Sequence, residues 1–283
     1  MQKIAVAIIH GIGNQDHDFA KEMERALREN FVEKIRGKTI DPSVQLVIAP
    51  VYWADVFEER EERLIECLVL NEELRYKSLR QFIVRFFGDA IAYQLTKFGN
   101  DNYEEVHKRV RKSLKSLMEE AGETAPLCII GHSLGAVIAS NYMYDLQQEN
   151  ENVQKYLNEL TPLEKGETFT LFYSLGTTIP LWSLRYVDFD QPIQVPSSKA
   201  KYYFPKVEGE WINFYDKDDI LGYPLKLISP EYDEVVTEDQ EVNVGSMMTS
   251  WNPLCHSAYL VDRNVINSIS DGIVRVWINV NEV

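Results

Sequence analysis

The chain has little of what would tie it to a disulfide framework, a polyanion or a membrane. Only three cysteines occur in 283 residues: Cys67, Cys128 and Cys255. They are odd in number and far apart, with no Cys-x-x-Cys and no Cys/His ligand spacing. That argues against a disulfide scaffold or a structural zinc site and points to free thiols in a reducing cytoplasm. Basic residues are also short, 29 Lys+Arg against 44 Asp+Glu, leaving a net charge of −15. Nucleic-acid binding needs a cationic face for counterion release, and docking on anionic lipid needs the same, so neither partner is expected. No stretch approaches the roughly 20 apolar residues of a membrane span, so stable insertion is not expected either. The apolar run at 4–9 is shorter than the core of a signal peptide and ends in His10-Gly11 without a small-residue cleavage site. It reads as a buried strand. His-Glu-x-x-His, Gly-x-x-x-x-Gly-Lys-Ser/Thr and a Gly-x-Gly-x-x-Gly with a following acidic partner are all missing, so no metal or organic cofactor is implied.

What is present is an ordinary globular mixture, 45% apolar and 26% charged. A chain near 300 residues buries roughly 75% of its unfolded surface and needs no staple. Residues 3–9 look like a strand covered on both faces. Residues 16–36 follow with Phe19, Met23, Leu27, Phe31 and Ile35 at helical spacing, ended by Gly37. Residues 44–51 form a second strand, giving one βαβ unit. Residues 55–70 are charged and helical. Residues 79–98 repeat apolar positions at i, i+3, i+4 and i+7, from Leu79, Phe82, Ile83, Phe86 and Phe87 to Leu95 and Phe98. A further helix spans 101–120. Strands are expected at 126–130, 168–175, 211–215 and 241–245, helices at 134–148 and 257–270, and a terminal strand at 273–280. The expected architecture is α/β: a doubly wound, mostly parallel sheet with helices on both faces. Residues 1–283 read as one domain, with a helical excursion at about 55–120 and a long loop at about 176–210. Loops of that length are usually functional.

The strongest chemical signal is Gly131-His132-Ser133-Leu134-Gly135. Gly-x-Ser-x-Gly after an apolar strand and before a helix is the nucleophile elbow, which projects a strained serine from the sheet's C-terminal edge. His10-Gly11-Ile12-Gly13 ends the first strand and can supply a backbone donor for an oxyanion. Leu134 N–H is one expected donor, and Ile12 or Gly11 the other. His10 is expected to shape this loop rather than to catalyse. Of five histidines only His256 follows Ser133, as the usual order Ser, acid, His requires. His17 and His107 lie in charged segments and are not expected to react. The acid should come from Asp216, Asp218 or Asp219, after the strand at 211–215. Asp219, next to Ile220 and Leu221, is the first choice as the inward-facing one, Asp216 the second and Asp218 the third.

These motifs resemble the α/β-hydrolase superfamily, and within it the lipase-like serine esterases that lack two leading antiparallel strands. The resemblance spans His10–Gly13, Gly131–Gly135, Asp219–Gly222 and His256. It implies a triad of Ser133, Asp219 and His256 and supports Asp219 as the acid. The 55–120 stretch is longer than the family minimum.

The expected function is a serine hydrolase that cleaves a carboxylic ester of a small molecule or lipid through an acyl-enzyme at Ser133. An acyltransferase or thioesterase on the same triad is the alternative, and a catalytically idle binding scaffold is another. Leu181 and Trp182, after the strand at 168–175, are candidates to wall an apolar acyl pocket. The apolar face of helix 79–98 is expected to pack in the core, with a lid or interfacial role as the alternative.

Overall fold

A computed structural model describes residues 1–12, 15–94, 101–189, 191–246, 249–251 and 253–282. Gly13, Leu95 and Phe98, which figure in the expectations above, lie outside them. Six strands form one sheet: β1 (Ile4–Ile9), β2 (Leu46–Val51), β3 (Leu127–His132), β4 (Phe169–Leu175), β5 (Glu210–Tyr215) and β6 (Glu238–Glu241). Their order is β2-β1-β3-β4-β5-β6, and every neighbouring pair is parallel. The helices are α1 (Lys21–Lys34), α2 (Glu58–Ile65), α3 (Lys77–Ala92), α4 (Asp101–Ala121), α5 (Leu134–Gln147), α6 (Glu151–Gln154), α7 (Ile179–Ser183), α8 (Ala200–Tyr203), α9 (Pro230–Val235) and α10 (Arg263–Asn281).

The period-2 geometry of a strand sends alternate side chains to opposite faces. Ile4, Val6 and Ile8 join the core under α1 and α10, whereas Ala5, Ala7 and Ile9 join the core under α4 and α5. All six residues are fully buried, which is why this run shows no polar alternation. The sheet edges are blunted against pairing with other chains. On β2, the Leu46 carbonyl accepts from Arg28 and the Pro50 carbonyl accepts from Ser113, while Pro50 itself offers no N–H. The other edge, β6, is four polar residues long.

The expected terminal strand at 273–280 is instead the second half of α10. Asp262 caps this helix by accepting from the Asn264 and Val265 N–H groups. Val265, Ile266, Ile269, Ile273, Val276 and Trp277 then recur at helical spacing and are buried, with Trp277 edge-on to Phe31 of α1 at 6.0 Å. Gly272 lets the helix lie on the sheet, since a Cβ there would collide with the Tyr173 hydroxyl. The sixth strand also lies earlier than expected, at Glu238–Glu241. Backbone pairing with β5, not an apolar pattern, defines it.

The excursion between β2 and β3 consists of α2, a π turn at Glu66–Leu70, α3 and α4. The core role expected for the apolar face of α3 is not what the structure has. Leu79, Phe82, Ile83, Phe87 and Ile91 are 59, 54, 43, 52 and 69% exposed. The helix is held at its far end, where buried Tyr93 meets α4 and α5. The Tyr93 hydroxyl lies 2.8 Å from His107 Nε2 and accepts from Asn141, and the Tyr103 hydroxyl donates to Asp145. Burial, then nearby Arg111, lowers the His107 pKa to about 3, so its imidazole is neutral and serves this internal network.

Candidate active site

The elbow follows from three local constraints. β3 runs directly into α5 through Ser133, whose φ of 53° is a conformation that L-residues rarely adopt. Strand and helix can then come close only where side chains are missing. A Cβ at Gly131 would lie 2.5 Å from Ala136 Cα, and one at Gly135 would collide with the Ile9 and His10 carbonyls. Both glycines are therefore sterically required. The turn leaves Ser133 at the C-terminal edge of the sheet, between β1 and β4.

His256 reaches Ser133 from the 3-10 turn at Pro253–Ser257. Its Nε2 is 2.9 Å from Ser133 Oγ, and its Nδ1 is 2.9 Å from Asp219 Oδ2. Asp219 is only 4% exposed. Its Oδ1 accepts from Leu221 N–H, and its Oδ2 accepts also from the Tyr259 hydroxyl at 2.9 Å. Burial acts to raise the Asp219 pKa, but the hydrogen bond and charge of His256, Leu221 N–H and Tyr259 together outweigh it. The net direction is down. An ionised carboxylate holds the proton on His256 Nδ1, which leaves Nε2 free to accept from Ser133 Oγ. Gly176 and Gly222 make room for this carboxylate, since a Cβ at either would lie within 2.8 Å of Asp219 Oδ2.

The other two aspartates stand elsewhere. Asp216 is buried, but it accepts from Val244 N–H and Asp218 N–H and so ties the loop to the segment after β6. Asp218 is exposed. Asp219 does face inward, although its neighbour Ile220 is 66% exposed. The turn geometry turns the carboxylate inward, not an apolar neighbour.

The strand-end loop of β1 touches the nucleophile. A Cβ at Gly11 would lie 2.7 Å from Ser133 Cβ. His10 fixes this loop: its Nδ1 is 2.6 Å from the Gly11 carbonyl, its Nε2 accepts from Trp53 N–H, and its ring stacks on Trp53 at 4.7 Å. Burial is the main cause that lowers its pKa to about 4, so His10 is a neutral structural group. Leu134 is fully buried in the first turn of α5, and Ile12 packs partly buried against the core. The His17 ring lies tilted by 39° against Tyr52 at 4.0 Å and does not reach the triad. Leu181 is 47% exposed. Trp182 packs against Tyr93 at 5.8 Å and lines a cleft of about 20 Å³ with Val137, Ser140 and Tyr232, away from the triad residues.

Two residues complete the cluster without a signature in the sequence. His132, inside the elbow motif, lies with Nε2 2.7 Å from the His256 carbonyl. Burial and then His256 lower its pKa to about 3, so it is neutral and its Nε2–H donates. Tyr259 donates to Asp219 and accepts from Asp216 N–H at 2.9 Å, joining both aspartates. Its place one turn after His256 is the only signal that could have singled it out. Tyr259→Phe removes one donor from the triad carboxylate. Because a hydrogen bond to a charged group is worth about 1.5–3 kcal/mol, kcat is expected to fall on the order of tenfold or more with KM unchanged. Steady-state kinetics on a soluble ester checks this.

Among the described residues no group of three or more His, Cys, Asp or Glu is arranged to hold a metal ion, and no helix is long and apolar enough to cross a membrane.

Residues 72–162 match the family model of the class 3 lipases. No curated protein matches the chain. The solved structures that are similar include two esterases. One comes from a structural analysis of two fungal esterases from Rhizomucor miehei, with 11% identity, a TM-score of 0.45, and coverage of 98% of this chain and 76% of that one. The other is an esterase from Pyrobaculum calidifontis, with 10% identity, a TM-score of 0.45, and coverage of 96% and 76%. The parallel sheet with helices on both faces is a doubly wound α/β fold, and the serine elbow leads from its third strand into α5.

Proposed function

We propose that this lipase-like α/β-hydrolase cleaves a carboxylic ester through an acyl-enzyme at Ser133. The observation that carries the reading is the unbroken chain from Ser133 Oγ through His256 to Asp219, with both links at 2.9 Å. Ser133 Oγ attacks the ester carbonyl as its proton passes to His256 Nε2. The developing oxyanion is held by the N–H of Leu134 and that of Ile12 or Gly11. His256 Nε2–H then returns the proton to the leaving alkoxide, and the alcohol departs. Water attacks the acyl-enzyme by the same route in reverse, releasing the carboxylic acid. Asp219 fixes the tautomer and stabilises the imidazolium, without itself taking the proton. Leu181, half-exposed, borders the acyl side, whereas Trp182 is taken up by its packing against Tyr93. The excursion at 55–120 and the loop at 176–210 belong to the same hydrolase unit. The three free thiols fit a reducing compartment such as the cytoplasm.

A fluorophosphonate probe tests the reading directly. It is expected to label Ser133 stoichiometrically, as peptide mapping reports, and to abolish hydrolysis of short-chain p-nitrophenyl esters in step. Labelling at another residue, or none, overturns it. An alcohol acceptor in competition with water separates hydrolysis from acyl transfer, and hydrolysis is expected to dominate.

A further inference from the structure

The hairpin of α2, the π turn and α3 leaves a large apolar surface uncovered. Ten large apolar side chains between Leu64 and Ile91 are more than a third exposed. If a large side chain carries about 200 Å², they present on the order of 1,000 Å². A typical monomer shows no contiguous apolar patch beyond about 300–600 Å². A standard protein interface takes about 800 Å² from each partner. The two helices run antiparallel: Lys77 Nζ donates to the Leu70 carbonyl at the turn end, and Glu61 lies against Gly88 at the other end. Ile65, Val69 and Tyr93 face inward and attach the hairpin, while Leu64, Leu68, Leu79, Phe82 and Phe87 do not.

Charge is sorted between the two arms. Residues 58–73 carry seven carboxylates against Arg60 and Arg63 only. Residues 74–88 carry Arg75, Lys77, Arg80 and Arg85 and no carboxylate at all. Among the described residues none of these four cations makes a salt bridge within 4.0 Å. The hairpin thus joins an acidic arm to a basic arm in antiparallel order, and a second copy that lays each arm over its opposite is matched in charge.

We infer that the α2–α3 hairpin is a two-fold interface that pairs with the same hairpin of a second copy of this chain. A two-fold axis running between and along the helices lays each α2 over the partner's α3. The acidic arm then meets the basic arm twice, and the exposed apolar side chains are covered. Such isologous contact is the common form of soluble homo-oligomers. The apolar area supplies the affinity. The charges, each worth little alone, set the register and exclude the arrangement of α2 over α2. An anionic lipid surface fits less well. Each basic residue near it gains about 1 kcal/mol, but the carboxylates of the same hairpin are repelled and the chain carries −15 overall.

Sedimentation velocity at about 100 μM tests the interface, above the micromolar end of affinities for interfaces of this size. The wild-type chain is expected to sediment as a dimer. A triple reversal on the basic arm (Arg75→Glu, Lys77→Glu, Arg80→Glu) and one on the acidic arm (Glu59→Lys, Glu62→Lys, Glu66→Lys) are each expected to give monomers. All six side chains are exposed, so melting temperatures should stay near wild type. Mixing the two variants is expected to restore a dimer, because each arm again meets its opposite. A monomeric wild type overturns the inference, as does a mixture that stays monomeric. A wild type that is monomeric alone but binds phosphatidylcholine vesicles overturns it too and assigns the face to lipid.

Discussion

Ser133→Ala is expected to lower kcat for ester hydrolysis by on the order of 10⁴–10⁶-fold while leaving the fold in place. The contrast rests on magnitudes. The substitution removes one hydrogen bond, from Ser133 Oγ to His256 Nε2 at 2.9 Å, and such a bond contributes about 1 kcal/mol to stability. It adds no new backbone strain, because alanine at a φ of 53° is in the same conformation that serine already occupies. The rate loss is of a different order. At 1.36 kcal/mol per factor of ten, 10⁴ amounts to about 5.4 kcal/mol of transition-state stabilisation. That energy belongs to the covalent route itself. Thermal melting followed by circular dichroism, set beside ester kinetics, reads both quantities. Activity within tenfold of wild type, at an unchanged melting temperature, would rule out the acyl-enzyme mechanism.

How far the sequence reveals this molecule depends on which interactions define each part. β1 is legible because both its faces are buried, so its residues must be an unbroken apolar run. The elbow is legible because its glycines answer to steric contacts close at hand, Gly131 against Ala136 and Gly135 against the end of β1. β6 is not, since an edge strand with polar side chains on both faces is made by its backbone partners alone. Ile273–Val280 satisfies both periods, and only the cap at Asp262 and the packing on α1 decide for helix. The amphipathic pattern of α3 tells that one face is apolar, but not what that face meets. The candidate site divides in the same way. Ser133 and His256 follow from motif and chain order. The choice among three neighbouring aspartates depends on Val244 and Tyr259, 28 and 40 residues away from their partners, and no local pattern encodes those bonds.

That choice yields the second large effect. Asp219→Asn is expected to lower kcat about 10⁴-fold, whereas Asp216→Asn should leave kcat within a few-fold and lower the melting temperature instead. An amide carries one acceptor where Asp219 uses two. With its oxygen toward His256 and Tyr259, its NH₂ group confronts the Leu221 N–H; flipped, it confronts His256 and drives the proton to Nε2, where Ser133 needs an acceptor. Asp216 faces a parallel conflict, but between Val244 N–H and Asp218 N–H, so its loss falls on the loop. Acid stability supplies a second readout. The Asp219 pKa is lower in the folded chain than the roughly 3.9 of an unfolded aspartate. Its contribution to stability is therefore full above that value and disappears as the pH falls through the folded one. The amide of the Asp219→Asn variant does not titrate, so the stability gap between it and wild type should be constant at neutral pH and narrow only below about pH 4. Urea unfolding between pH 7 and pH 3 measures that gap. A 10⁴-fold loss of kcat from Asp216→Asn, with Asp219→Asn near wild type, would move the acid to Asp216 and leave Asp219 a structural turn residue.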